Sequence, residues 1–195
     1  MAMKHTLAMA TKHTLVTGGI RSGKTALAEQ IAMSSDTPVT YIATATAGDG
    51  EMTDRIRRHQ AERPESWGLI EAPLGLARAL EKAAEGNSPL PCLLIDCMSL
   101  WVSNLLHAGE QVFNAERKAF QGALAKYPGE VIIVSNEVGL STVAMDPLTR
   151  RFCDELGWLN QALAQHCHRV MMSVAGLPLV LKDCSRSAVG EETTE

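Results

Sequence analysis

Aromatic side chains are scarce in this sequence: three Trp, three Phe and two Tyr among 195 residues. A core must therefore be built mainly from Ala, Leu, Val, Ile and Met. With 46% hydrophobic residues, a chain of this length can bury one without metals or disulfides. Paired cysteines are missing too. Cys92, Cys97, Cys153, Cys167 and Cys184 form no C-x-x-C pair and are odd in number, so reduced core thiols are expected and a disulfide framework is not. No apolar run approaches the roughly 20 residues of a membrane span. The first twelve residues hold Lys4 and Lys12 but no continuous apolar stretch of the kind a secretory signal carries. No stable membrane insertion is expected, and the cytoplasm is the expected compartment. Excess positive charge is also absent. Lys and Arg number 18 against 22 Asp and Glu, a net charge of −4, which argues against a broad phosphate-backbone footprint and against nucleic acid as a partner. His166-Cys167-His168 falls within a helical pattern, where two His two residues apart point in different directions, so no metal site is expected there.

What the sequence does have is alternation of short apolar runs with helical patterns. His13–Thr17 reads as a strand, followed by a Gly-rich turn and a helix from about Lys24 to Met33. Val39–Ala43 reads as a second strand, Glu51–Arg63 as a helix stopped by Pro64, Gly68–Glu71 as a short strand and Leu74–Ala84 as a helix. Leu93–Asp96 is a continuous apolar run ending in a carboxylate, as a buried parallel strand would be. Helices over Leu100–His107 and Ala115–Lys126, a strand over Val131–Ser135, a long helix over Pro147–His166 and closing strands at Arg169–Val174 and Leu179–Leu181 complete the pattern. Strands alternating with helices predict an α/β domain with a mostly parallel sheet and a site at the strand C-termini. Residues 1–12, in which Lys4-His5-Thr6-Leu7 anticipates Lys12-His13-Thr14-Leu15, read as a flexible extension; 13–183 read as one domain, and 184–195 as a polar tail.

Gly18-Gly19-Ile20-Arg21-Ser22-Gly23-Lys24-Thr25 fits G-x-x-x-x-G-K-[ST] between a strand and a helix. The spacing suits triphosphate. Glycines let backbone N–H groups turn inward around phosphate, and the helix presents its positive N-terminus. Lys24 can reach the β- and γ-phosphates, and the Thr25 hydroxyl can ligate Mg²⁺. The expected fold is thus an α/β P-loop NTPase (RecA-like) three-layer sandwich. Asp96 has two readings: the carboxylate that completes a Mg²⁺ site with Thr25, or the cap of the helix that follows. Glu51, Arg55, His59 and Arg63 recur every fourth residue and share a helix face. Spacing alone leaves that face either as a solvated charged surface or as a nucleophilic imidazole flanked by cations. Asn136-Glu137-Val138-Gly139 reads equally as a plain turn, while Trp101, Trp158 and Met171-Met172 read as packing.

The motifs taken together resemble one family. The loop Gly18 to Thr25, then Tyr41-Ile42-Ala43-Thr44-Ala45, then Glu51-Met52-x-x-Arg55-Ile56-x-x-His59-x-x-x-Arg63-Pro64 resemble successive signatures of the bifunctional adenosylcobinamide kinase/adenosylcobinamide-phosphate guanylyltransferases of cobalamin biosynthesis. Asp96-Cys97-Met98-Ser99-Leu100-Trp101-Val102-Ser103-Asn104, Ser135-Asn136-Glu137-Val138-Gly139, Gly157-x-x-Asn160-Gln161 and Gly176-Leu177-Pro178 extend the likeness over roughly 14–182. The resemblance implies ATP or GTP as phosphoryl donor, a corrinoid (adenosylcobinamide) as acceptor, and a guanylyl intermediate on His59. It implies nucleotide contacts at Gly18, Gly19, Ile20, Arg21, Ser22, Gly23, Lys24 and Thr25, at Ala43, Thr44 and Ala45, at Gln60, Ala61, Glu62 and Arg63, and at Glu71 and Asp96. It also implies a homotrimer. Ile20 stands where Ala is commoner and Thr25 where Ser is commoner, with the hydroxyl kept. Arg57-Arg58 makes the stretch before His59 basic, which favours triphosphate and lowers an imidazole pKa. The runner-up readings are a P-loop kinase of another small alcohol, with His59 structural, and a nucleotide-driven binding module.

Overall fold

The computed structural model describes residues 12–46 and 64–184. Seven strands form one sheet: β1 (His13–Gly18), β2 (Val39–Ala43), β3 (Gly68–Glu71), β4 (Cys92–Asp96), β5 (Val131–Asn136), β6 (Arg169–Val174) and β7 (Leu177–Asp183). Five helices accompany them among the described residues: α1 (Lys24–Met33), α2 (Leu76–Ala84), α3 (Met98–Ala108), α4 (Glu110–Lys126) and α5 (Pro147–His166). The strand order is β3-β2-β4-β5-β1-β6-β7. Every neighbouring pair is parallel except β6 and β7.

The central strands are covered on both faces, which is why β1, β4 and β5 read as continuous apolar runs. Successive residues still alternate between the two cores. Leu15, Leu93, Ile95, Val131 and Ile133 join Trp101, Phe113, Phe120, Leu156 and Leu163 under α2–α5. Val16, Leu94, Ile132 and Val134 join Tyr41, Ala28 and Ala32 under α1. The three layers are therefore unequal among the described residues, with one helix on one face and four on the other. The few aromatics are concentrated in the thicker layer: Trp101 and Phe120 are fully buried and meet edge to face, their ring centroids 5.2 Å apart.

Several element bounds differ from the sequence reading for identifiable reasons. The helix expected from Leu74 begins at Leu76, after Pro73. The two helices expected over Leu100–His107 and Ala115–Lys126 are separated by Gly109 alone, whose φ of +99° breaks the helix in one residue. The last strand is longer than expected because it pairs antiparallel along β6. Its hairpin turn is Ala175-Gly176, with φ of +51° and +80°, the positive pair that a two-residue hairpin connection favours. α5 ends at His166, the bound that its own pattern gave, so of the His166-Cys167-His168 stretch that read as helical only His166 lies in the helix.

Three histidines meet at the foot of the sheet. His13 is fully buried at the start of β1, and its Nδ1 lies 3.2 Å from His166 Nε2. Burial, then the charges of His166 and His168, lower the His13 pKa to about 4. His166 is lowered as well, by burial and then by His168 and Lys182. Among the described residues, no group of three or more His, Cys, Asp or Glu is arranged to hold a metal.

Candidate active site

Because six strands run parallel, β1 to β6 end on one edge, and loops leaving that edge face the same region. β1 delivers the first element. At Gly18 the chain must pass so close to its neighbours that a Cβ would lie 2.5 Å from Ser22 Oγ and 2.6 Å from the Ser173 carbonyl. Arg21 at φ +54° and Gly23 at φ +88° then wrap the loop back toward α1. Ser22 N–H donates to Gly19 O (3.3 Å), and Leu27 N–H to Gly23 O (3.0 Å), starting the helix. Lys24 Nζ donates to Gly19 O at 3.1 Å, folding the ammonium over the loop. Thr25 is half-buried in the first turn of α1.

A second element holds this loop from outside. The β6–β7 turn packs beneath it: Gly176 N–H and the Ser173 hydroxyl both donate to Ser22 O, at 2.8 and 2.7 Å. Glu137 N–H, just past β5, donates to Gly18 O at 3.0 Å. These contacts account for Gly176 and for Asn136-Glu137 as motif residues, roles that the sequence marked by position without revealing. β5 ends at Asn136, and the chain turns at Gly139-Leu140, where Gly139 N–H donates to Glu137 Oε1 at 2.6 Å. Asn136 pairs in register with Gly18, and its buried Oδ1 makes no hydrogen bond among the described residues.

β4 supplies Asp96, separated from β1 by the intervening β5 and so about 10 Å away at the usual strand spacing. The helix-capping reading of Asp96 does not hold. The N-cap of α3 is Cys97, with no side-chain cap bond, while Asp96 Oδ2 accepts from the Tyr41 hydroxyl at 2.9 Å. Burial first, then the Asp96 carboxylate, raise the Cys97 thiol to about 11, and Lys24 acts in the opposite direction. Lys24 and Asp96 are thus both within electrostatic reach of Cys97.

The β2 end is tied down around Thr44, which is fully buried. Its hydroxyl donates to Cys97 O and accepts from Cys97 N–H, both at 2.8 Å, and its N–H donates to Asp96 O. Asn104 on α3 donates to Thr44 O (2.8 Å) and Pro73 O (3.0 Å). Thr44 therefore spends its side chain on fixing the backbone, leaving Ala43 and Ala45 as the half-exposed members of that trio. Ala43 lies between Glu71 of β3 and Asp96 of β4 in one register row, and Glu71 is exposed at the sheet edge. The structure brings Gly18 to Thr25, Ala43 to Ala45, Glu71 and Asp96 onto this one edge. His59, Gln60, Ala61, Glu62 and Arg63, with the rest of the expected helix 51–63, lie outside the described residues.

The three packing readings fare differently. Trp101 is core and donates its Nε1–H to Leu74 O at 2.6 Å, whereas Trp158 is 54% exposed. Met171 and Met172 lie in β6, the first of them buried.

A strained glycine loop between a central parallel strand and a helix, with a carboxylate ending a strand one place removed, defines an α/β fold of the P-loop NTPase class. Solved structures agree at the level of fold. A Pyrococcus horikoshii protein matches with a TM-score of 0.51 and 12% identity, covering 88% of this chain and 86% of its own. The ATPase EscN of the enteropathogenic E. coli type III secretion system matches with a TM-score of 0.52 and 12% identity over 85% of this chain and 43% of that one. Sequence relatives are far more specific. The bifunctional adenosylcobalamin biosynthesis protein CobP of Pseudomonas aeruginosa is 50% identical over 169 residues, 86% of this chain and 96% of that protein. CobU of Escherichia coli, named for the same bifunctional role, is 35% identical over 182 residues, 86% and 98% of the two chains. The family model for cobinamide kinase / cobinamide phosphate guanyltransferase matches residues 14–181. The chain belongs to that family.

Proposed function

We propose that this chain phosphorylates the aminopropanol hydroxyl of adenosylcobinamide and then transfers GMP from GTP to the phosphate so formed, giving adenosylcobinamide-GDP. The observation that carries this reading is family membership over 14–181 in a chain whose phosphate loop has complete geometry. The donor of the first step is ATP or GTP. Lys24 and the α1 N-terminus neutralise charge gathering on the transferred phosphoryl group. The Thr25 hydroxyl and the Asp96 carboxylate suit a hard cation such as Mg²⁺, being oxygen donors on the phosphate edge, and the Tyr41 bond fixes the Asp96 carboxylate in place. When bound, Mg²⁺ would neutralise charge on the triphosphate oxygens.

In the second reaction the His59 imidazole attacks the α-phosphorus of GTP, a nitrogen–phosphorus bond forms and pyrophosphate leaves with the bonding pair. A phosphate oxygen of adenosylcobinamide phosphate then attacks the same phosphorus, and the imidazole leaves. Arg55, Arg63 and the basic Arg57-Arg58 supply cations for the departing pyrophosphate, and Ala43, Ala45, Gln60, Ala61, Glu62, Glu71 and the loop residues Gly19, Ile20 and Arg21 contribute the remaining nucleotide contacts. Assembly as a homotrimer is part of the same reading. It is supported by an apolar outer strand, with Leu177 71%, Leu179 53% and Leu181 57% exposed on alternate positions of β7.

The test is a separation of activities. His59→Ala should still phosphorylate adenosylcobinamide, yet retain no label from GTP labelled in the α-phosphate and form no GDP-cobinamide. Label on the unsubstituted protein should be lost in mild acid and survive alkali, as a phosphoramidate requires. Acid-labile label on His59→Ala would place the nucleophile elsewhere, and loss of the kinase step in a folded variant would place His59 in the shared phosphate site.

A further inference from the structure

Beyond the phosphate loop, the substrate edge carries a second concavity, on the outer side of α3. Asn104 pulls this helix across the ends of β2 and β3 by bonding Thr44 O and Pro73 O. The next turn of α3 consequently overhangs the edge. Two adjoining hollows share Ser103 and His107. One, of about 450 Å³, is walled by Thr46 and Leu74, which follow β2 and β3. The other, of about 180 Å³, is walled by Leu148 and Phe152 of α5.

The lining has a definite chemical character. Aliphatic and aromatic surface alternates with neutral polar groups, and among the described residues none that lines either hollow is Asp, Glu, Lys or Arg. His107 Nδ1 lies 2.7 Å from Ser103 O. A carbonyl only accepts, so Nδ1 carries the proton, and in the neutral ring Nε2 is left as an acceptor. The Ser103 hydroxyl makes no hydrogen bond among the described residues. A site of this kind does not suit phosphate, which wants cations or a ring of N–H donors. It suits a large, neutral, amide-bearing ligand that presents methyl groups and carboxamide N–H₂ donors together.

We propose that this double hollow seats the carboxamide-bearing rim of the corrinoid substrate, with His107 Nε2 accepting from one of its carboxamide N–H groups. The proposal rests on the function given above, which supplies the corrinoid. A corrin bears such neutral amides and methyls around its periphery, and its acceptor hydroxyl must approach the same edge on which the phosphate loop opens. His107 is here a binding residue and takes no part in the chemistry. The site needs only the described elements α3, α5 and the ends of β2 and β3.

The experiment measures steady-state kinetics of the kinase step with adenosylcobinamide and ATP, each varied in turn. His107→Ala should raise KM for adenosylcobinamide about tenfold, leaving KM for ATP and kcat at saturating corrinoid unchanged, and His107→Gln, which restores an acceptor, should recover most of the loss. Ala108→Trp, an exposed position lining the larger hollow, should raise the corrinoid KM further. Unchanged corrinoid KM in both His107→Ala and Ala108→Trp overturns the proposal. So does a rise confined to the KM for ATP, which would make the hollow a nucleobase site. A changed oligomeric state with the corrinoid KM intact overturns it in favour of a subunit contact. If the unsubstituted protein fails to phosphorylate adenosylcobinamide at all, the functional reading itself has failed, an outcome distinct from each of these.

Discussion

Lys24 is held where a triphosphate would need it, its ammonium folded onto Gly19 O by a loop that tolerates no extra atom at Gly18. Both proposed reactions need a nucleoside triphosphate held by this loop, so on that reading the Lys24 charge serves each of them. Lys24→Ala is expected to remove both activities, since losing a preorganised contact to a charge-bearing transition state costs about 3–4 kcal/mol, or 10²–10³ in rate. Assays of cobinamide phosphorylation and of GDP-cobinamide formation on the folded variant check this. Near-normal turnover in either would separate the two sites. Thr44 shows the opposite case. It falls in a motif attributed to nucleotide contact, yet its side chain is wholly occupied with Cys97. What it gives the site is rigidity.

Elements are joined by polar ties near their ends, where backbone groups lack partners. Asn160 bridges α5 to the end of β5, accepting from the Ser135 hydroxyl at 2.5 Å through Oδ1 and donating to Asn136 O at 3.0 Å through Nδ2. At the C-terminus of α5, Lys182 of β7 donates to Ala164 O, Gln165 O and Cys167 O, satisfying carbonyls that the helix leaves open and placing a positive charge at its negative end. The N-terminus is capped by Asp146, whose Oδ2 accepts from Thr149 N–H at 2.7 Å. Of these ties, the Asn160 bridge has the greatest consequence for the site. Removing it strands the buried Ser135 hydroxyl and loosens Asn136 beside Gly18. Asn160→Ala should lower stability by about 1–3 kcal/mol and weaken ATP binding. Urea midpoints and nucleotide titration on the same preparation report the two effects separately.

For the whole molecule, one contribution to acid stability comes from the foot of the sheet, remote from the phosphate edge. His13 titrates near 6.5 when unfolded and near 4 when folded. The folded state thus resists protonation. The stabilisation it contributes is complete above the unfolded value and is lost as pH falls from about 6.5 toward 4. With solvent screening allowed for, the loss is about 2 kcal/mol between those limits. His166 shifts in the same direction and adds to the slope, because burial first, and then the charges of His168 and Lys182, oppose its protonation. Urea unfolding at pH 7.5 and pH 5 should show the drop, and His13→Gln should flatten it. A pH-independent midpoint in the unsubstituted protein would mean that the pair opens to water before it titrates.

Among the described residues the order of strands and helices, the phosphate loop, the buried parallel character of β4 and β5 and, for the whole chain, the membership of the family were legible in the residues, because each depends on local spacing or on a contiguous motif. Pro147–His166 and Lys24–Met33 have the same bounds in the sequence pattern and in the structure, both being long periodic segments with clear stops. Tertiary structure alone decided what depends on residues far apart in the chain. No local signal shows that β5 inserts between β1 and β4, that the Ala175-Gly176 turn underpins a loop 150 residues earlier through Ser22, or that Asp96 answers to Tyr41 instead of capping α3. The histidines at the foot of the sheet make the same point. In sequence His166 and His168 belong to a helix pattern and His13 to a strand, and their mutual suppression of charge exists only because a parallel sheet returns β6 beside β1 and ends α5 against its first residue.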